Sequence, residues 1–453
     1  MFKKLMMGCA ALVAMHGAAQ AAAPAATGGV VALTHVRVID GTGAPAVEDA
    51  TVVFQGGRIL AVGKNAAIPA DAQRLDYTGR TVMPGLISDH SHVGSILGIS
   101  VGPENYTAAN ITDELAQYRR YGVTTVTALG NNRPLFDELR QEAHAGKLPA
   151  DLFGVDQGIG VPQGAPPQAM MKSATDQMFR PTTPAEAREA VDRMADEKTD
   201  LVKIWVDDFM GSLPIKMDPE IIKAVVVEAH AKHLRVAAHI HDLSDAQKVV
   251  AAGADIIAHG VRDQPVPADF VAELKKRGIW YIATLELDES TVAWADKAPW
   301  TQTPLARAAL SPDLAKQIDD PAWQDKTKAG KAADGARASL DINLRNLKTL
   351  YDAGVKIGFG TDSGATPLRV PGIAEQRELV LTVQAGLTPL QAIRMATGDA
   401  AALLHLKDRG ELKAGKRADL LVVQGDPSTD IAAAGDIVET WSNGTRVAGP
   451  LEH

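Results

Sequence analysis

Two histidines separated by one residue, His90 and His92, follow a short apolar run that is typical of a β-strand over residues 86–88. Successive residues of a strand point to opposite faces, so residues i and i+2 project from the same face. Both imidazoles would therefore point the same way from the end of one strand. Imidazole nitrogens are common zinc ligands, and this spacing predicts a chelating pair.

Four further polar residues lie in or directly after other apolar segments downstream: Lys203, His239, His259 and Asp362. If these segments are strands of one parallel sheet or barrel, their carboxyl ends share one edge and all six side chains meet there. A single histidine at a strand end is more often structural than a ligand. Four histidines and an aspartate in the order of consecutive strands reverse that expectation and predict a metal site.

Lys203 needs separate consideration because residues 201–206 are apolar and a buried ammonium is costly unless it is paired or neutralised. One alternative puts Lys203 on the outer face, where its long side chain reaches solvent. Strand alternation instead groups it with Trp205 and Asp207, and we favour this inward placement. Asp207 and Asp208 could bind a cationic group, although a solvated loop pair is the commoner outcome.

The elements that must position these residues alternate between strand and helix. Helix starts are marked by a capping residue followed by proline, as in Thr183-Pro184, Asp218-Pro219 and Thr388-Pro389. Eight strands alternating with helices predict an α/β fold, a TIM-like (β/α)8 barrel whose site lies at the carboxyl ends of the strands. The candidate strands are 86–88, 123–129, 152–156, 201–206, 236–238, 256–258, 280–284 and 355–359.

Short β-rich runs flank this predicted barrel at both ends of the chain. Runs within 31–62 are separated by glycines, and similar runs return at 418–423 and 437–441. We expect both ends to join in one small β-sandwich domain outside the barrel. The predicted organisation is a leader over 1–21, the first part of the sandwich over 22–85, the barrel over 86–405 and the second part of the sandwich over 406–453.

One connection, at about 285–337 between the seventh and eighth strands, is too long for a simple loop. It contains Trp294, Trp300 and Trp323. An insertion at the catalytic end of a barrel often forms a lid or a substrate-binding element. A helical excursion packed on the outside of the barrel is an equally good interpretation, and the sequence leaves both open.

The first 21 residues combine Lys3 and Lys4 with an apolar run and Ala19-Gln20-Ala21, the pattern of a secretory signal cleaved after Ala21. The run is shorter than the roughly 20 residues that cross a bilayer. We therefore expect a periplasmic or secreted protein that is not held by a membrane after cleavage. Cys9, the only cysteine, lies in this leader, so we expect neither disulfide nor thiol chemistry in the mature chain.

The composition is that of a globular protein: 453 residues, 46% hydrophobic and 22% charged. The formal net charge is -9, and no basic run is present. Nucleic acid and anionic membranes are poor partners for such a chain. We expect a small-molecule substrate, and a homo-oligomer remains open.

Seven motifs in the order of the chain resemble those of the amidohydrolase superfamily, in particular its imidazolonepropionase-like and prolidase-like branch. They are 84–92 (PGLISDHSH), 122–126 (GVTTV), 202–204 (VKI), 236–239 (VAAH), 252–260 (AGADIIAHG), 360–362 (GTD) and 415–420 (GKRADL). The resemblance covers nearly the whole mature chain. It implies a metal-dependent hydrolase with two divalent metal ions, zinc being the expected metal.

The resemblance also implies which residue holds which ion. One ion would be held by His90, His92 and Asp362 and the other by His239 and His259. Lys203, as an N-carboxylated lysine formed with CO2, would bridge both, which replaces its buried positive charge with an anion.

The reaction implied by the resemblance is attack on a carbonyl by a hydroxide that bridges the two ions, with Asp362 as acid and base. His241 shares a strand face with His239 and is assigned to substrate or oxyanion contact, although a structural role is nearly as good an interpretation. Two departures from the family's pattern, Ser88 and Ala258, remove no ligand but could change the hydrogen bonds around the ligands.

Three functional hypotheses follow. The first is a secreted, binuclear, metal-dependent amidohydrolase that cleaves a C–N bond of a small substrate such as a dipeptide or an N-acyl amino acid. The second keeps the site but changes the bond, to that of a lactone, a cyclic amide or an organophosphate. The third is a non-catalytic periplasmic binding protein, against which stands the cost of burying six polar groups without a metal.

Overall fold

The computed structural model describes residues 28–168 and 172–451. The predicted leader, with its cleavage site and Cys9, lies outside the described residues. In the parts of the chain that are described, no helix combines the length and the apolar character needed to cross a membrane.

The described residues contain eighteen strands. In chain order these are β1 (Val31–Val38), β2 (Val47–Gln55), β3 (Arg58–Gly63), β4 (Gln73–Asp76), β5 (Arg80–Pro84), β6 (Leu86–Ser91), β7 (Ile96–Leu97), β8 (Ser100–Val101), β9 (Val123–Leu129), β10 (Asp151–Val155), β11 (Val202–Trp205), β12 (Val236–His239), β13 (Ile256–Ile257), β14 (Trp280–Ile282), β15 (Lys356–Gly358), β16 (Leu420–Gln424), β17 (Ile437–Ser442) and β18 (Thr445–Ala448).

Fourteen α-helices are described in full. They are α1 (Ala108–Arg120), α2 (Leu135–His144), α3 (Pro184–Asp196), α4 (Pro219–Ala231), α5 (Leu243–Ala252), α6 (Ala268–Arg277), α7 (Leu285–Ala293), α8 (Pro304–Ala308), α9 (Pro312–Asp319), α10 (Pro321–Lys328), α11 (Lys331–Asp352), α12 (Ile373–Gln384), α13 (Pro389–Arg394) and α14 (Ala400–Leu403). The predicted caps are present: the side chains of Thr183, Asp218 and Thr388 each accept a backbone N–H of the first turn.

Strands from both chain ends form one mixed sheet, here called the terminal sheet, in the order β18-β17-β16-β5-β1-β2-β3 with β4 beside β1. The ends meet where β16 pairs antiparallel with β5, from Leu420 opposite Pro84 to Gln424 opposite Arg80. Hydrogen bonds join the strands of both ends into a single sheet. This sheet curls back on itself, because the Phe54 ring of β2 contacts the Trp441 ring of β17 although three strands lie between them in the sheet order, and the predicted two-layer sandwich stays a prediction. Direct pairing of β16 with β5 joins the strands from the two chain ends within this sheet. Register shifts in three of the strand pairs bend it.

The eight strands predicted for the central region are all present, with ends that differ from the prediction by at most three residues. They form two parallel sheets, one in the order β10-β9-β6 and one in the order β11-β12-β13-β14-β15. The predicted α/β class with parallel strands is therefore confirmed.

Backbone contacts connect these two parallel sheets at both of their edges. At one edge, Ile159 forms a parallel bridge with Ile204 of β11. At the other, the N–H of Asp89 donates to the carbonyl of Phe359 at 2.6 Å, and the N–H of His92 donates to the carbonyl of Ser363 at 2.7 Å. The strand that carries the histidine pair is thus fixed to the segment that follows β15.

The insertion between β14 and β15 is helical and has two parts. Helices α7 and α11 pack against each other over the carboxyl ends of the strands. Helices α8 and α9 pack instead beside α1, where the Tyr121 hydroxyl donates to the Leu305 carbonyl at 2.8 Å. Trp294 is buried and contacts the Trp300 ring edge-on, with 5.0 Å between ring centroids.

On the N-terminal side, the terminal sheet continues into the central region through a single glycine, Gly85, between β5 and β6. The N–H of Gly85 donates to the Asp419 carbonyl of the terminal sheet at 2.9 Å, and the next N–H, of Leu86, donates to the Gly122 carbonyl at 2.8 Å. A Cβ atom at position 85 would collide with the side chain of Thr124, so only glycine fits this junction.

Candidate metal centre

The histidine pair and Asp362 form one buried cluster. The Nε2 atom of His90 lies 3.2 Å from Asp362 Oδ1, and the Nε2 atom of His92 lies 3.0 Å from the same oxygen. Asp362 has a φ of 63°, a left-handed conformation that is rare outside glycine. Gly360 allows the chain to reach this position, because a Cβ there would lie 2.6 Å from the His90 Cβ. The three side chains could hold a metal ion, since their ligand atoms lie within 4.8 Å of one another.

The other three predicted ligands lie directly beside this cluster. The Lys203 Nζ atom is 3.2 Å from His90 Nε2, and the side chain is fully buried, so Lys203 points inward as predicted. The His259 ring centroid is 4.4 Å from that of His90, and the His239 ring centroid is 4.3 Å from that of His259. The structure therefore brings together all six residues, while their roles as ligands stay a prediction.

Hydrogen bonds orient two of the imidazole rings. His92 Nδ1 lies 3.1 Å from the carbonyl oxygen of Gly130. A carbonyl can only accept, so Nδ1 carries the hydrogen and Nε2 is left free as a ligand. His259 Nδ1 lies 3.0 Å from the hydroxyl oxygen of Thr284. Such contacts to the nitrogen that does not bind the metal are usual around metal sites.

Burial and neighbouring charges favour protonation states that suit metal binding. Burial lowers the pKa of Lys203 to about 7, and burial together with the Lys203 charge lowers the pKa of His90 to about 3. Burial also lowers the pKa of His259. Burial alone would raise the pKa of Asp362, but Arg369 and the two histidines outweigh it and hold that pKa well below its usual value. The imidazoles of His90 and His259 are therefore neutral and the Asp362 carboxylate is ionised, the forms that bind metals.

The chemistry of this donor set fits a divalent metal ion. Neutral imidazole and ionised carboxylate are the ligands that zinc binds in catalytic sites. His90 Nδ1 is buried and has no hydrogen-bond partner among the described residues, so this ring is not committed to a structural hydrogen bond. The residues present thus fit the metal that the sequence predicts.

A cavity of about 340 Å³ opens beside the cluster. His92, His239 and Asp362 form part of its wall. Helices α7 and α11 of the insertion close another side, so this part of the insertion lines the cavity while α8 and α9 do not. The apolar part of the wall consists of Pro166, Trp205, Phe209, Met210, Leu287, Ala332, Ala336 and Ala365.

His241, predicted to contact substrate, lines this cavity. Its Nδ1 atom is 2.8 Å from Asp242 Oδ1, and its Nε2 atom is 3.4 Å from the Ser339 hydroxyl on α11. The ring is thus held by Asp242 with its other nitrogen on the cavity side. This placement suits the predicted contact.

Asp207 and Asp208 have different environments, and a solvated loop pair is the wrong interpretation for the first. Asp207 is buried in the cavity wall, with its Oδ1 atom 3.2 Å from His239 Nε2. Asp208 lies 3.6 Å from the Lys216 ammonium and accepts the N–H of Gly211. The end of β11 turns only Asp207 towards the histidines.

Two important residues were missed by sequence reasoning. Arg369 lines the cavity and contacts Asp362 Oδ2. Glu375, fully buried on α12, lies below the cluster. Its Oε1 atom accepts hydrogen bonds from the hydroxyls of Thr361 at 2.7 Å, Ser363 at 2.7 Å and Ser88 at 3.1 Å. The sequence offered no signal for either residue, because the helix face that carries Glu375 also carries Glu378 and Thr382, and Arg369 lies in an irregular segment.

Parallel strands that end in a buried His-His-Asp cluster beside a cavity define a metal-binding α/β protein. A model described as the amidohydrolase family matches residues 81–447, which is most of the chain. The chain therefore belongs to the amidohydrolase family, as the motif resemblance implied.

Similar proteins extend along nearly the full chain. The imidazolonepropionase of Deinococcus radiodurans is 25% identical over 404 residues, 85% of this chain and 88% of that protein. A crystal structure from Bifidobacterium longum, provisionally named a prolidase, is 26% identical with a TM-score of 0.75 and covers 94% of this chain and 97% of its own. A Xaa-Pro dipeptidase structure with bound methionine is 22% identical with a TM-score of 0.73, covering 93% and 100%. The protein is a metal-dependent hydrolase that acts on C–N bonds.

Proposed function

We propose that the protein is a binuclear metal-dependent amidohydrolase that cleaves the amide or peptide-like C–N bond of a small substrate such as a dipeptide or an N-acyl amino acid. The observation that carries this proposal is the meeting of six candidate ligands beside a cavity of about 340 Å³. A cavity of this size takes a small molecule. Similarity to prolidase-like structures supports a substrate of dipeptide size.

In this proposal the two parallel sheets close into one eight-stranded barrel with the site at the carboxyl ends of its strands. The Ile159–Ile204 bridge supports closure at one edge, and the Ser91–Ser363 bridge supports it at the other. A closed barrel explains why side chains from distant parts of the sequence lie within one small volume.

The ligand residues divide into two sets around Lys203. His90, His92 and Asp362 would hold one ion, His239 and His259 the other, and an N-carboxylated Lys203 both. When bound, divalent ions such as zinc supply a nucleophile near neutral pH by lowering the pKa of water, and they polarise the scissile carbonyl.

The chain's own groups bind the substrate and move the proton. Asp362 Oδ2 accepts the proton of the attacking nucleophile and returns it to the leaving nitrogen, which is a poor leaving group without it. Arg369 contacts this oxygen and fixes the orientation of the carboxylate. His241 contacts the substrate from the cavity wall, and the apolar residues of the wall exclude water from the reacting atoms.

The predicted leader supports export of the protein to the periplasm or beyond. Expression with residues 1–21 intact, followed by cell fractionation and N-terminal sequencing, should place the mature chain in the exported fraction with residue 22 first. An unprocessed chain in the cytosolic fraction would contradict export.

The activity test uses the mature protein reconstituted with zinc and a panel of dipeptides and N-acyl amino acids. His239→Ala and chelator-stripped protein should both lose activity. His230→Ala should keep it, because His230 lies on α4 outside the cavity wall and pairs there with Asp255. Full activity of His239→Ala or of stripped protein would contradict the mechanism. Lactones, cyclic amides and organophosphates belong in the same panel, because faster turnover of one of them would change the bond class.

A further inference from the structure

Arg262 is a buried arginine of the cavity wall with no role in the proposed chemistry. It lies three residues after His259, and its backbone N–H donates to the carbonyl of His241 at 3.1 Å. Its residue exposure is only 6%, and its side chain faces the same cavity as His239 and Asp207. Its backbone is thus fixed to the site.

The guanidinium of Arg262 lacks the hydrogen bonds that a buried arginine normally makes. Neither Nε nor Nη1 has a hydrogen-bond partner among the described residues. The carboxylate nearby is that of Asp288, whose Oδ1 atom is 3.8 Å from Nη1, too far for a hydrogen bond. The Oδ2 atom of Asp288 is also without a partner. Leaving such donors unsatisfied is costly, and acceptor oxygens of a bound ligand would satisfy them.

Two of the cavity carboxylates, Asp207 and Asp362, have partners, whereas the third, Asp288, lies beside Arg262. Asp207 lies 3.2 Å from His239, and Asp362 contacts both His92 and Arg369. Of the two arginines in the cavity wall, Arg369 contacts Asp362, whereas Arg262 makes no hydrogen bond through Nε or Nη1 among the described residues. The fork of a guanidinium matches the two oxygens of a carboxylate, which it binds with two parallel hydrogen bonds.

We propose that Arg262 binds a free carboxylate of the substrate and so restricts the enzyme to amides that carry one. This rests on the proposed function and deepens it: of the small amides, those with a carboxylate at one end and apolar groups elsewhere fit the wall. Trp205, Phe209 and Leu287 provide the apolar surface for the remainder of the molecule.

The kinetic test compares two matched substrates, N-acetyl-L-leucine and N-acetyl-L-leucinamide, following cleavage of the acetyl amide. Wild-type protein should prefer the carboxylate. Arg262→Met should lower kcat/KM for the carboxylate about 100-fold, mainly through KM, and leave the carboxamide nearly unchanged. Arg262→Lys keeps the positive charge but not the planar guanidinium. Its kcat/KM for the carboxylate substrate should lie between those of wild type and Arg262→Met. An unchanged preference in Arg262→Met would overturn the proposal.

Controls separate a binding role from a structural one. Arg345→Met removes a cation from the exposed side of α11, where Arg345 pairs with Asp341, and should leave the preference unchanged. Zinc content and circular dichroism should match wild type in each variant. If Arg262→Met does not fold, Arg262→Lys decides alone: a preference reduced at least about tenfold supports the proposal, and an unchanged preference overturns it.

A binding measurement distinguishes failure of this inference from failure of the proposed function. If the wild-type protein cleaves no amide in the panel, the proposed function fails, and calorimetry with N-acetyl-L-leucine and N-acetyl-L-leucinamide on zinc-loaded protein still tests Arg262. Tighter binding of the carboxylate that is lost in Arg262→Met supports the subsite. Equal binding of the two compounds, or binding of neither, overturns it.

Discussion

Thr284 is held in a backbone conformation that is rare for a β-branched residue, with a φ of 49°. Its hydroxyl lies 3.0 Å from Nδ1 of His259, and the residue is fully buried. Residues in sparsely populated conformations cluster at functional sites, where the surrounding structure maintains the strain. We interpret the conformation of Thr284 as the means by which its hydroxyl reaches the imidazole.

Removing that hydroxyl should weaken metal binding. Thr284→Val keeps the branched shape but leaves His259 Nδ1 without its partner, and we expect zinc affinity to fall about 10- to 100-fold. Competition with a chromophoric chelator measures the affinity. Thr284→Ser is the matched control because it retains the hydroxyl and should bind zinc like wild type. Equal affinity in wild type and Thr284→Val would show that the hydroxyl does not hold the ring.

The six candidate ligands could be predicted from sequence because each lies in or directly after a recognisable apolar strand. Arg262 and Arg369 could not, since both lie in irregular segments whose path is set by tertiary contacts. Asp207 was misinterpreted for a related reason: the sequence showed two aspartates after a strand, but not that only the first turns inward.

At the scale of elements, Glu375 connects α12 to the ends of two strands. Three hydroxyls donate hydrogen bonds to Glu375. They belong to Ser88 on β6 and to Thr361 and Ser363, which flank Asp362. Glu375 therefore acts as a positioning residue for both sides of the first ligand set. Burial raises the pKa of Glu375, and the hydrogen bonds from the Ser363 and Thr361 hydroxyls counteract part of this rise.

Glu375→Ala should disturb the metal site without touching a ligand. The change removes an acceptor that three buried hydroxyls share, although Ser88 and Ser363 still have the Ser91 hydroxyl within reach. We expect a loss of about 1–3 kcal/mol in the free energy of unfolding of the zinc-free protein. Zinc affinity should fall as well. Glu375→Gln retains one acceptor oxygen and should recover part of both quantities. Urea titration and chelator competition measure them, and an Ala variant indistinguishable from wild type would refute the positioning role.

Asp151 at the start of β10 makes a second connection between elements, to the C-terminal part of the chain. Its Oδ2 atom lies 2.6 Å from Arg409 and 2.9 Å from Arg417, and its Oδ1 atom lies 2.7 Å from His144. Burial would raise the pKa of Asp151, but His144 and Arg409 outweigh burial and hold that pKa well below its ordinary value.

Because the pKa of Asp151 is lowered in the folded protein, its contribution to the free energy of unfolding should decrease at acidic pH. The Asp151 contribution is complete above the unfolded pKa of about 3.9 and is lost as pH falls towards the folded pKa. Asp151→Asn should lower the free energy of unfolding by about 3 kcal/mol at pH 7, and its difference from wild type should shrink below about pH 4. Urea titrations at several pH values measure this. Asp341→Asn is the control: Asp341 lies in an exposed ion pair, so this variant should have nearly the wild-type free energy of unfolding at any pH. If the difference between Asp151→Asn and wild type does not change with pH, Asp151 is not the group with the lowered pKa.

The strands of the central region were predictable because β-branched and apolar runs end at glycines or polar residues. The dual role of the insertion was not, because lining a cavity and packing beside α1 both need amphipathic helices. Only the tertiary positions of α7 and α11 on one side, and α8 and α9 on the other, separate the two roles.

At the scale of the whole molecule, the terminal sheet has its own core around Trp441. This side chain is fully buried, contacts the Phe54 ring edge-on at 4.9 Å between centroids, and donates its Nε1–H to Glu439 at 2.6 Å. The sequence predicted that the two ends join but not that they form one sheet, because strand order depends on which edges meet after the chain has folded.

Trp441→Ala should test how far this core stabilises the protein. Loss of a buried tryptophan costs about 3–5 kcal/mol, whereas Trp441→Phe should cost less because a ring remains against Phe54. Thermal unfolding followed by fluorescence and by circular dichroism gives the values. A change of less than about 1 kcal/mol for the Ala variant would mean that the sheet collapses around the gap.

The single-residue junction at Gly85 has a mechanical consequence. Tension applied at the C-terminus would load β18 first, then β17 and then β16. From β16 it would pass through five paired residues to β5 and reach the histidine-bearing strand one residue later. No flexible spacer absorbs the displacement. Under force, therefore, loss of the metal site should accompany the separation of β16 from β5 in the extension trace, after β18 and β17 have detached.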